Sequence, residues 1–145
     1  MRYLIFILSW IILSSCSNDQ KHHAASHHHH QVEDGIVSLN NGAKWKANKE
    51  TTEGVNEMIK ALQDFEAGTD QDVDAFHRLG KSLNKEYNKI FKNCTMTGAA
   101  HDQLHNYLLP MAKDINHLME GELHECREKV ASLDKKLLTY EQYFE

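Results

Sequence analysis

Three glycine breaks, at Gly68, Gly98 and Gly121, cut about a hundred residues of apolar three-and-four spacing into four segments of similar length. Val55, Met58, Ile59, Leu62 and Phe65 form the first stripe, which begins near Thr51 or Thr52 and stops at Gly68-Thr69. Phe76, Leu79, Leu83, Tyr87, Ile90, Phe91 and Cys94 form the second, with Asp70 to Asp74 at the end where a helix dipole favours acids. The third runs from about Ala99 to Met119 and carries the single proline, Pro110, which should kink it. Leu123, Cys126, Val130, Leu133, Leu137, Tyr140 and Phe144 repeat as heptads in the fourth. No strand alternation competes. Helices of like length joined by short loops pack as antiparallel neighbours, so the expected fold is all-α, an up-down-up-down four-helix bundle over residues 38–145.

This topology brings the second loop, Cys94 to Gly98, to one end together with Trp45, Tyr140, Tyr143 and Phe144. Cys126, at the start of the fourth helix, belongs to the other end. A helix of some twenty residues spans roughly 30 Å, while a disulfide needs Cα atoms within about 7 Å. Cys94 and Cys126 are therefore not expected to pair, and Cys126 reads as a small apolar core residue.

What precedes the bundle looks like an export signal. Arg2, an apolar run from Tyr3 to Leu13, and then Leu13-Ser14-Ser15-Cys16 resemble a bacterial lipoprotein signal and its lipobox. The resemblance implies cleavage after residue 15, lipid on Cys16, and a place in the cell envelope, at the outer membrane on its periplasmic or surface side. An ordinary cleaved signal or an uncleaved anchor also leads out of the cytoplasm. Residues 16–37 then form a flexible tether with His22, His23 and the run His27 to His30. Imidazole is the commonest protein metal ligand. The tether is expected to collect metal loosely, a solvated spacer being the plainer reading and a purification tag another. Asn41-Gly42 marks a turn in an extended lead-in that ends at Trp45. With 16 Lys and Arg against 21 Asp and Glu, the chain has no basic block, and nucleic acid is not an expected partner.

Cys94-Thr95-Met96-Thr97-Gly98-Ala99-Ala100-His101-Asp102-Gln103-Leu104-His105 gathers a thiol, a thioether and two imidazoles at one helix corner. With His101 at zero on a helical wheel, His105 falls at about 40°, Leu108 at about 340° and Ile115 at about 320°. The two histidines then share the inward face, one turn apart, with Cys94 on the inward stripe of the second helix and Met96 in the turn between. Soft sulfur selects Cu(I), and imidazole accepts copper or zinc. The expected metal ligands are thus Cys94, Met96, His101 and His105, with Cu(I) ahead of Zn(II). Taken singly, each of these residues is more often a packing residue than a ligand. His101-Asp102-Gln103-Leu104-His105 is similar to the zincin pattern but has aspartate in place of the glutamate base and no third ligand downstream. A Cys94 nucleophile with a histidine base lacks a cleft and an oxyanion hole, and non-covalent haem ranks below copper. No enzyme is expected.

Three stretches carry a family likeness: Asn40-Asn-Gly-Ala-Lys-Trp-Lys-Ala-Asn48, the Cys94 to His105 motif, and Thr139-Tyr-Glu-Gln-Tyr-Phe144. Together they resemble a family of small uncharacterised helical proteins of Bacteroidota. The resemblance implies exported bacterial origin and a helical fold, and brings no activity with it. The expectation for function is an envelope lipoprotein that binds a soft metal for buffering, sensing or handover. The alternative is a metal-free structural or interaction module whose end-face aromatics dock an envelope protein.

Overall fold

The structure, a computed structural model, describes residues 35–145. The expected signal peptide, the lipid-bearing Cys16 and the histidines of the tether lie outside the described residues. Four helices carry the fold: α1 (Lys49–Ala67), α2 (Val73–Asn93), α3 (Gly98–Glu120) and α4 (Leu123–Leu137). A single turn, α5 (Tyr140–Tyr143), follows. Among the described residues there are no strands, only two isolated bridges.

Two of the helices, α2 and α4, start where side chains replace missing backbone partners. Asp72 accepts from the Ala75 N–H at 2.7 Å and opens α2. Glu122 and Glu125 form a reciprocal capping box at α4. α1 begins at Lys49, two residues before the expected Thr51, with Asn48 as its N-cap. Thr51 is instead fully buried and donates its hydroxyl to Asn48 Oδ1 at 2.7 Å. Gly98 opens α3 at φ +61, a left-handed conformation that suits glycine and permits the tight turn from Cys94. α3 passes through Pro110 without a break in its helical span.

One core joins the helices. Val55, Met58 and Leu62 of α1 meet Phe76, Leu83 and Ile90 of α2, Leu108, Met111 and Ile115 of α3, and Leu133 and Leu137 of α4. α1 packs mainly on α2, α2 on α3 and α3 on α4, while α4 also touches α1 and α2. Gly54, early in α1, lies against Ile90, late in α2, and Gly80, early in α2, lies against Leu118, late in α3. Phe65 at the end of α1 sets its ring edge-on to Phe76 at the start of α2, with centroids 4.8 Å apart.

The lead-in packs where the sequence places it. Asn40 and Ala43 exchange two backbone hydrogen bonds around Asn41 (φ +50) and Gly42 (φ +91), the two-residue turn that Asn-Gly signals. Ser38 N–H donates to Gln103 Oε1 at 2.7 Å, and Trp45 Nε1–H to the Ser38 carbonyl at 2.6 Å. Beyond this turn the backbone of Trp45 and Ala47 pairs with residues 143–145: Trp45 N–H with Tyr143 O, Glu145 N–H with Trp45 O, and Ala47 N–H with Glu145 O, at 2.7 to 2.9 Å. Trp45 and Phe144 form a parallel bridge, and Phe144 is buried. Among the described residues no helix is long and apolar enough to cross a membrane.

Candidate functional site

Cys94 caps the end of α2 in extended conformation, and α3 starts four residues later at Gly98. This short connection carries the thiol across to the first turns of α3. Cys94 Sγ lies 3.5 Å from His101 Nδ1. The His101 and His105 rings, one turn apart, sit with centroids 4.3 Å apart and tilted by 52°. His105 in turn meets the ring of Phe91 edge-on at 5.2 Å. Thiol, two imidazoles and phenyl ring thus form a continuous row along the edge where α2 meets α3. Met96 is half-buried in the connecting turn, against the core.

The row lies on the flank of α3 and not on its buried face. Leu104, Tyr107, Leu108, Met111, Asp114, Ile115 and Leu118 are the buried residues of α3. On the wheel they span about 220° to 340°, centred near 280°. His101 at zero and His105 at about 40° therefore stand beside the core face, half-buried. The inward placement expected of them is corrected to this flank. Among the described residues no three His, Cys, Asp or Glu side chains converge as a ready ligand set. Both Cys94 and Cys126 are free thiols, and Cys126 is fully buried, as the packing argument requires.

The row is poised chemically as well as sterically. Burial first, then the neighbouring His101, lowers the pKa of His105 below that of an ordinary imidazole, against an opposing pull from Asp102. A neutral imidazole has a free lone pair for a metal. Tyr140 lies near Cys94, at the same end of the helices. Its hydroxyl is 2.9 Å from Thr52 Oγ1, and its ionisation is raised by burial, against the Thr52 hydrogen bond and with help from the nearby Cys94.

Several polar residues of structural weight carry no motif that marks them. Asn48 reaches from the start of α1 to the backbone beside Cys94, donating from Nδ2 to the Asn93 carbonyl at 3.2 Å. Asp114 is buried between α3 and α4, where it accepts from Lys136 Nζ at 2.7 Å and Ser132 Oγ at 2.8 Å and faces Lys129 Nζ at 3.4 Å. His117 is half-buried and donates from Nε2 to Glu125 Oε2 at 2.9 Å. An Asx residue just ahead of Thr51-Thr52, and an acid near the inward stripe, were the available signals for the first two. No known protein family, no curated protein and no solved structure matches the chain.

Proposed function

We propose that this chain is a lipid-anchored protein of the bacterial cell envelope. In this reading its helices form an up-down-up-down bundle that binds a soft transition metal, Cu(I) before Zn(II), for buffering, sensing or handover. The observation that carries the metal reading is the 3.5 Å contact of Cys94 Sγ with His101 Nδ1, with the tilted His105 ring beside it. A thiolate and an imidazole at this separation need only small side-chain rotations to share one ion, and a soft ion is what a sulfur ligand selects. Met96 in the adjoining turn and His105 are the groups that would complete the shell. The antiparallel topology is supported by the end-to-end pairing of Gly54 with Ile90 and Gly80 with Leu118. The rival docking module has less support, because Tyr140 and Phe144 are buried and stack on each other at 5.1 Å.

The test is anaerobic Cu(I) and Zn(II) titration against a competing chelator. It uses chain in which His22, His23 and His27 to His30 are replaced by serine, so that the tether cannot compete. One tight equivalent of Cu(I) is expected, abolished in Cys94→Ser and weakened at least tenfold in His105→Ala. Saturating metal, at about a thousand times Kd, should stabilise the fold by about 4 kcal/mol through mass action. Binding no tighter than that of a lone surface histidine would end the metal reading.

A further inference from the structure

We propose that Asn48 is the positioning residue of the Cys94 site, fixing the thiol against His101. Asparagine is among the best N-cap residues because its oxygen can accept from its own helix. Asn48 sits at the N-cap of α1, yet its side chain makes no capping hydrogen bond there. The carboxamide is turned across to the end of α2 instead. Nδ2 donates to the Asn93 carbonyl at 3.2 Å, and Oδ1 takes the Thr95 N–H in a long contact of 3.5 Å. Asn93 and Thr95 are the two neighbours of Cys94, so one side chain grips the peptide groups on both sides of the cysteine.

The grip has a fixed orientation. A carboxamide offers two N–H donors and two acceptor lone pairs. The second donor goes to Glu50 Oε2 at 2.8 Å, and the second lone pair takes the buried Thr51 hydroxyl at 2.7 Å. All four positions are used, and a flipped amide would set like against like at the Asn93 carbonyl, the Glu50 carboxylate and the Thr95 N–H. The Asn93 carbonyl belongs to the last turn of α2, where carbonyls have no intrahelical partner. Asn48 supplies that partner and stops the turn from fraying. Asn48 is itself held from behind, since the backbone of Trp45 and Ala47 is paired to residues 143–145. With the backbone pinned on either side, the χ1 rotamer of Cys94 alone sets where its sulfur lies.

The proposal rests on the reading of Cys94 as a ligand, but its test runs first without metal. Full-length chain, reduced and metal-free, is alkylated with iodoacetamide under native conditions, and the rates at Cys94 and Cys126 are followed separately by peptide mapping. Asn48→Ala is expected to raise the Cys94 rate roughly tenfold, the size of one or two net hydrogen bonds, and to leave the buried Cys126 unchanged. Cu(I) affinity should fall by a similar factor. Asn48→Asp keeps the shape and the acceptors but loses both donors, so it should act in the same direction, and it stands in if Asn48→Ala does not fold. An equal rise at both cysteines would show general loosening and overturn the proposal, as would an unchanged Cys94 rate. Faster Cys94 alkylation in Asn48→Ala, in a chain whose parent binds no Cu(I), would uphold the role of Asn48 and remove the metal reading alone.

Discussion

A buried carboxylate seldom survives without partners, and Asp114 has three. Burial pushes its pKa up, but hydrogen bonds from Lys136 and Ser132 and the charges of Lys136 and Lys129 outweigh this and hold it below the usual range. Lys136 Nζ also donates to the Pro110 carbonyl at 3.2 Å, so one ammonium group ties α4 to the middle of α3. A carboxyl whose pKa is depressed by folding stabilises the native state above its unfolded value, near pH 4, and loses that contribution as pH falls through the folded value. Asp114→Asn should therefore cost about 2 kcal/mol at neutral pH. In urea melts at stepped pH, the gap between variant and parent should narrow below about pH 4. A gap that stays constant with pH would show that Asp114 contributes through shape and not charge. The sequence disclosed little of this, because the partners of Asp114 lie 15 to 22 positions away on another helix. Asn48 was obscured more simply: Asn48 and Thr51 are both acceptable caps, and only the contact across to α2 decides between them.

Among the helices, existence and order were legible, and so was phase in all but α3. The apolar spacing gives four segments, and four helices form. A wheel phased on His101, however, misses Tyr107, Met111 and Leu118, whose burial turns α3 by about 80° from that phase. α4 was expected to run on through Tyr140 and Phe144. It ends at Leu137 because the Tyr107 hydroxyl donates to the Lys136 and Leu137 carbonyls, both at 3.1 Å. Thr139 Oγ1 donates to the Lys136 carbonyl as well. Part of that stop comes from a neighbouring helix, and Thr139 is its one local mark. The α2–α3 contact makes its own prediction. A Cβ placed on Gly80 would stand 2.8 Å from the backbone of Leu118, so the two helices approach through a glycine. Gly80→Ala gains about 1 kcal/mol in helix propensity but overpacks the contact at a cost of about 2 kcal/mol. The melting temperature should fall by about 4 °C. A rise would mean that the helices part without penalty.

At the scale of the whole molecule, the lead-in and residues 143–145 act as one strap. Phe144 packs against Tyr107 and Tyr140 and is 1% exposed. Phe144→Ala should cost about 3 to 4 kcal/mol and release the lead-in. Limited proteolysis should then cut within residues 35–47, which the parent chain protects. Retained protection would show that Trp45 holds the lead-in alone. The strap was legible only in part. Aromatic residues at both places foretold a shared end, but parallel backbone pairing is fixed by hydrogen bonds that no spacing encodes.

The strap also imposes an order on synthesis. Successive helices find their neighbours as they emerge, but Trp45 and Ala47 must wait for partners roughly a hundred residues downstream, a contact that is slow by its length alone. At ribosomal speeds of about 5 to 20 residues per second, this is a lag of some 5 to 20 seconds. During that interval the backbone of Trp45 and Ala47 is without its final partners while the helices behind it are already being made, and the strap closes only after the helices it spans.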